Sequence, residues 1–140
     1  MSFKFLEHEA DVGIQVEGST LEEAFQEGGK ALFSYMVENF KDLKSEEFFE
    51  FKVTSEKIDL LFIEWLNELI YLRDADEVFL SEFKVQISKN QEYELKAIVK
   101  GETINLKKHK VNTEVKAATY HGLKYEKKGS KHILRCVLDI

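Results

Sequence analysis

The sequence predicts an α+β fold: a single two-layer domain, residues 1–140, in which two main helices pack on a mixed or mostly antiparallel sheet. Three observations predict it. Residues 19–39 and 56–74 carry apolar side chains at helical spacing, several short segments alternate apolar and polar residues, and strand-like segments follow one another after residue 76. Helices segregated among consecutive strands are the pattern of an α+β domain. A chain of 140 residues is long enough for one core and too short for two comfortable ones.

The elements follow in order. "DVGIQVEG" places Val12, Ile14 and Val16 on one face of a half-buried strand that ends at Gly18. "STLEEAFQEGGKALFSYMVEN" changes to a helical stripe of Leu21, Ala24, Phe25, Gly28, Leu32, Tyr35 and Met36. Ser19 with Glu22, or Thr20 with Glu23, makes a capping box at its start. Gly28 and Gly29 each cost about 1 kcal/mol inside a helix, and close packing against a strand is the expected reason for them. "EEFFEFKVTS" alternates at Phe49, Phe51 and Val53, and Ser55 is placed to cap the next helix. That helix, with Ile58, Leu61, Phe62, Trp65, Leu66, Leu69 and Ile70 in one stripe, is the strongest periodic signal in the chain. Both helices are expected to cover one face of a sheet. "VFLSEFKVQI" and "YELKAIVK" flank "SKNQE" as a hairpin. "VNTEVKAATYH" reads as a strand with Val111, Thr113, Val115, Ala117, Thr119 and His121 on one face. "GLKYEK" and "KHILRCVLD" bracket a turn at Gly129–Ser130.

Composition narrows the function. Hydrophobic residues make up 44% and charged residues 33% of the chain, as in an ordinary folded domain, and eleven Phe supply a large apolar interior. No run approaches the roughly 18 apolar residues of a membrane span. "MSFKFLEHEAD" lacks a positive start followed by an apolar stretch, so no signal peptide is expected. The single Cys136 cannot form an intrachain disulfide and sits in an apolar strand, which predicts a buried, inert thiol and suits a reducing cytoplasm. A net charge of −6 argues against a chain that holds nucleic acid by itself and permits a cation site or a basic protein partner. The basic stretch "KYEKKGSKH" is accordingly read as a solvated hairpin.

Three places could carry chemistry. In "EHEAD", Glu7, His8, Glu9 and Asp11 crowd the start of the first alternating strand, and Asp11 falls on the face opposite Val12. Oxygen ligands at strand ends suit Mg²⁺ or Ca²⁺, although charge runs are usually solvated. In the tail "RCVLDI", Asp139 stands beside the Ile140 carboxylate, so up to four oxygens meet where an apolar strand runs out. A hard cation would lower their repulsion, whereas an ordinary terminus frays. Lys116 is the third: a surface ion pair with Glu114 or another acid is the usual explanation, and an anion-contacting or site-organising role is the sharper one. His121 is expected to end a strand as a structural hydrogen-bonder, and His109 and His132 to lie in loops or on strand surfaces. There is no zinc-type Cys–His spacing, no phosphate-binding glycine loop and no nucleophile elbow.

"EHEADVGIQVEGSTLEEAF", "IEWLNELIYLRD", "TEVKAATYHGL" and the terminal "VLDI", in this order and spanning residues 7 to 140, resemble the archease family. The resemblance implies a non-catalytic cofactor of the RtcB-class tRNA-splicing RNA ligase, which joins RNA ends using GTP and a divalent metal. Such a protein promotes GMP transfer to the ligase and restores it for further turnovers. GTP is then bound by the ligase, and tRNA is met mainly through it. The resemblance also implies a site for Ca²⁺, Mg²⁺ or Mn²⁺ at Asp11, Asp139 and the Ile140 carboxylate, with Glu38 of "FSYMVEN" as a further acid and Lys116 as the basic residue beside it. Glu9 stands where the family more often has Thr, and Glu38 where it more often has Asp. The rival expectations are a metal-independent adaptor or chaperone-like module, and a small hydrolase using Asp11, Glu38 and Asp139 around one cation.

Overall fold

The computed structural model describes residues 1–7 and 11–140, with the backbone alone at Glu7. The chain runs β1 (Ser2–Glu7), β2 (Asp11–Gly18), α1 (Leu21–Met36), a 3-10 turn (Phe40–Asp42), β3 (Glu47–Ser55), α2 (Ile58–Asp76), β4 (Val78–Lys89), β5 (Tyr93–Thr103), β6 (Ala117–Lys128) and β7 (Lys131–Asp139). The strands form two sheets, β1-β2-β7-β6 and β3-β5-β4, and every pairing is antiparallel.

The expected α+β class with two main helices therefore holds, with two sheets where one was anticipated. Both helices touch both sheets, α1 meeting β2 and β4 and α2 meeting β6 and β3. This is why α2 buries Ile63, Leu72 and Arg73 beyond its predicted stripe. A helix apolar on more than one side has two layers to satisfy. A single core draws on all of these elements, with Phe25, Phe33, Phe62 and Trp65 fully buried and the indole N–H donating to Phe25 O (2.8 Å).

Local chemistry explains the boundaries. Thr20 is the N-cap of α1, accepting from Glu23 N–H (3.1 Å), and Glu23 reaches back to Ser19 N–H (2.9 Å). Of the two capping pairs, Thr20–Glu23 is the one formed. Gly28 lies against Phe62 of α2 and Gly29 against Phe83 of β4, where an added Cβ would come within 2.6 Å of either ring. Only one of the two glycines thus answers to a strand. Ser55 does not cap α2: it closes β3, and Lys57 occupies the N-cap without a side-chain bond. β1, with Phe3 and Phe5 packed on the core, was not anticipated; it pairs with Val12 to Glu17 of β2.

The reading of 111–121 as one strand is overturned. Residues 112–116 are irregular and β6 begins at Ala117. Val111 is 51% exposed and Val115 fully buried, so they do not share a face. The backbone here joins other partners: Val37 bridges Val111, and Asn112 N–H donates to Met36 O (2.8 Å). Beyond it, β6 runs through Gly122, whose positive φ of 61° accompanies a register shift between Thr119 and Lys124. His121 therefore lies within β6 rather than at a strand end.

Candidate functional site

Asp11 opens β2 and Asp139 closes β7, and the antiparallel register sets them directly opposite one another. Val12, Ile14 and Val16 face the core, so Asp11 belongs to the opposite face, as the alternation of the sequence requires. Leu134, Cys136 and Leu138 do the same for β7 and place Asp139 on the face of Asp11. Directly opposed residues have Cβ atoms about 5 Å apart, close enough for like charges to destabilise the pair. One oxygen of the pair, Asp11 Oδ1, is buried and has no hydrogen-bond partner among the described residues. A buried polar atom left unpaired is costly, and here it is an anionic one facing a second carboxylate. Two hard oxygen groups in this arrangement match the donor preference of Ca²⁺ or Mg²⁺.

Asp139 is held from its other side as well. It pairs with Ala117 of β6, and Lys116 N–H donates to Asp139 O (2.8 Å). Lys116 is exposed, and its ammonium makes no ion pair among the described residues, so the expected surface bridge to Glu114 is not formed. Ile140 packs half-buried against the core.

Glu38 reaches the same end of the molecule by a different route. Helix α1 returns along β2, and Tyr35 packs on Phe5 of β1 with ring centroids 5.1 Å apart. Glu38 follows just beyond the C-cap Val37, exposed, with its N–H donating to Lys110 O (2.8 Å). Among the described residues no three His, Cys, Asp or Glu side chains gather in ligand geometry. Glu38 is thus not drawn into a cluster with Asp11 and Asp139. His8 and Glu9 lie outside the described residues.

A second group of ionisable residues escaped the sequence reading. His109 lies in a loop, one of the two places expected for it, but it is buried, as is Glu102, and the His109 ring bonds the Glu102 carboxylate. Asn105 N–H donates to His109 Nδ1 (2.8 Å), which leaves the ring proton on Nε2, pointing at Glu102. Lys44 N–H (2.9 Å) and the Lys108 ammonium (3.0 Å) complete the shell. Burial raises the Glu102 pKa, but these donors, His109 foremost, outweigh it and hold the carboxyl at about 2. Nothing in the periodicity signals this pair, because it closes a turn rather than a strand or helix face. Cys136 behaves as expected: it is fully buried, and burial pushes its thiol up to about 12.

The chain matches the profile of the Archease protein family (MTH1598/TM1083) over residues 3–140. It belongs to the archease family. It is similar to Protein archease of Thermococcus kodakarensis, 43% identical over 122 residues that cover 86% of this chain and 85% of that one. Protein archease of Methanosarcina acetivorans is 34% identical over 140 residues, 99% of this chain and 95% of the other. Among solved structures, Protein 1598 of Methanobacterium thermoautotrophicum superposes with a TM-score of 0.88 at 31% identity, covering 99% of this chain and 98% of that one. An archease from Thermotoga maritima, described as a possible chaperone, gives a TM-score of 0.63 at 24% identity over 98% of this chain and 96% of its own, a likeness of fold. In this chain the opposed Asp11 and Asp139 lie at one end of the four-stranded sheet.

Proposed function

We propose that this chain is a non-catalytic activator of an RtcB-class tRNA-splicing RNA ligase, promoting the ligase's GTP-dependent guanylylation and its return to further turnovers. Its tool is a divalent cation, Ca²⁺, Mg²⁺ or Mn²⁺, held by Asp11 and Asp139 with the Ile140 carboxylate as third donor. The observation that carries this reading is the buried, unpartnered Asp11 Oδ1 opposite Asp139 across the β2–β7 ladder. Membership of the archease family supports it. When bound, the cation supplies positive charge that the ligase's active site can use to organise nucleotide phosphates. The residues of this chain do the rest. Asp11 and Asp139 hold oxygens at fixed spacing on a paired ladder, and Lys116, anchored by its N–H on Asp139 O, offers an exposed ammonium for an anionic group. Glu38 stands at the same end as an outer acid. GTP is bound by the ligase, and tRNA is met through it.

The test is GMP transfer to a purified RtcB-class ligase with wild type, Asp11→Ala and Asp139→Ala. Wild type accelerates guanylylation, and both variants lose the acceleration together with cation binding. Stimulation that survives chelation and both substitutions overturns the metal and returns the adaptor reading. Phosphate-ester turnover by the isolated chain would return the hydrolase.

A further inference from the structure

The segment between β5 and β6, residues 104–116, is fixed at both ends and in its middle. Ile104 N–H donates to Glu77 O (2.8 Å), and Asn112 N–H to Met36 O (2.8 Å). Between them, Lys108 and His109 N–H share Asn105 O (2.9 and 2.7 Å), Asn39 Nδ2 donates to Lys108 O (3.3 Å), and Lys110 N–H donates to Asn39 Oδ1 (3.1 Å). The buried Glu102–His109 pair clamps the same turn from below. Yet this pinned segment presents Leu106 at 76% and Val111 at 51% exposure. Single exposed apolar residues are ordinary; two on the lip of one cleft, on a backbone held this firmly, are not explained by folding.

The cleft has a volume of about 320 Å³ and lies between this segment and the ends of α1 and α2. Its apolar surface comes from Met36, Phe79 and Ile104 with Leu106 and Val111 at the lip. Its charge is one-sided. Arg73 is buried and engaged by Asp74 (Nη2 to Oδ1 2.7 Å), which leaves Glu77 and Glu114 without ion pairs among the described residues. Lys107 and Lys110 belong to the segment but do not line the cleft. An apolar slot with an acidic rim complements an apolar side chain flanked by Lys or Arg.

We infer that this cleft is the docking surface for a partner-protein segment carrying an apolar anchor flanked by basic residues. The inference rests on the activator reading above, and it says which face meets the ligase. Position supports it: the segment forming the lip is bonded to Glu38 through Lys110 O and runs on to Lys116, whose N–H holds Asp139. The cleft's lining includes Glu114, two residues before Lys116, so a partner seated in it approaches the stretch that anchors Asp139. The geometry separates two jobs, with the cleft gripping and Asp11–Asp139 presenting the cation.

The experiment compares wild type, Leu106→Glu, Glu114→Lys and Asp11→Ala for affinity to an RtcB-class ligase and, separately, for Ca²⁺ binding by calorimetry. Leu106→Glu is expected to weaken ligase binding at least about tenfold while Ca²⁺ affinity and thermal midpoint stay at wild-type values. Glu114→Lys is expected to weaken it less and to reduce its salt dependence. If wild type binds the ligase and Leu106→Glu binds equally well, the docking surface is wrong and the activator reading survives. If wild type shows no affinity for the ligase at any divalent metal, both fall. If Leu106→Glu instead converts an oligomer of the isolated chain to monomer, the cleft serves self-association and the inference is overturned.

Discussion

Two carboxylate sites of this molecule, each with a buried oxygen, sit in opposite conditions. Glu102 has a donor for its available oxygens: the His109 ring, Lys44 N–H and the Lys108 ammonium. Asp11 has a buried oxygen with no described donor and, directly across the ladder, another carboxylate. The first arrangement is complete and keeps a turn in place. The second is incomplete among the described residues, and what it lacks there is positive charge. A satisfied buried acid marks structure, and an unsatisfied pair marks a place for something the chain does not itself provide.

Removing each acid in turn breaks the comparison most directly. Glu102→Ala strands the His109 ring N–H and Lys44 N–H and releases the exposed Lys108 ammonium, and it should cost on the order of 3 kcal/mol in urea unfolding. Acid gives the same result without mutation. The folded Glu102 pKa, about 2, lies below its ordinary 4.5. Its stabilising contribution is therefore fully present above pH 4.5 and lost as pH falls from there toward about 2. Equilibrium unfolding across that window should show a loss in wild type that is smaller in Glu102→Gln, which keeps only the contribution of other lowered carboxyls such as Glu23. A flat profile in wild type would mean that Glu102 is no better satisfied than Asp11.

The opposite end sharpens the contrast through added cation. In wild type, unfolding free energy should rise with Ca²⁺ concentration, by about 2.7 kcal/mol at a hundredfold excess over the dissociation constant. Asp139→Asn should abolish that rise, and a polar extension after Ile140 should reduce it by moving the carboxylate away. An unchanged rise with the extension would remove Ile140 from the donor set, leaving Asp11 and Asp139 as its protein side chains.

These two regions also show what a sequence discloses. The core faces of β2, β3 and α2 were legible because burial on one side imposes a period, and Val12, Ile14 and Val16 or Leu61, Trp65 and Leu69 follow it. Asp11 and its face came from the same alternation. The meeting of Asp11 with Asp139 rested on family resemblance, since 127 residues lie between the two positions and no local period links them. Residues 111–116 were misread because Val111, Thr113 and Val115 imitate a strand, while the backbone there bridges Val37, bonds Met36 O and ends on Asp139 O. Glu102 and His109 left no trace, because a clamp across a turn has neither period nor fixed spacing. The second sheet was equally silent: both faces of α2 are apolar, but one apolar stripe was enough to read a helix on a sheet.

The smallest expected effect is the most discriminating, because its sign is unusual. In a chelator, Asp11→Asn replaces one of two facing anions by a neutral amide that can donate a hydrogen bond to Asp139. Like charges directly opposite on a ladder destabilise by up to about 1 kcal/mol, so this variant should be as stable as wild type or slightly more so. In Ca²⁺ the order should reverse, because only wild type gains from the cation. A buried structural acid cannot behave this way: Glu102→Gln lowers stability in either buffer, since its neighbours are donors. Urea unfolding of the two variants with and without Ca²⁺ decides it. If Asp11→Asn is destabilised in chelator by as much as Glu102→Gln, then Asp11 is a structural residue, and the opposed carboxylates at this end of the sheet are held by the fold alone.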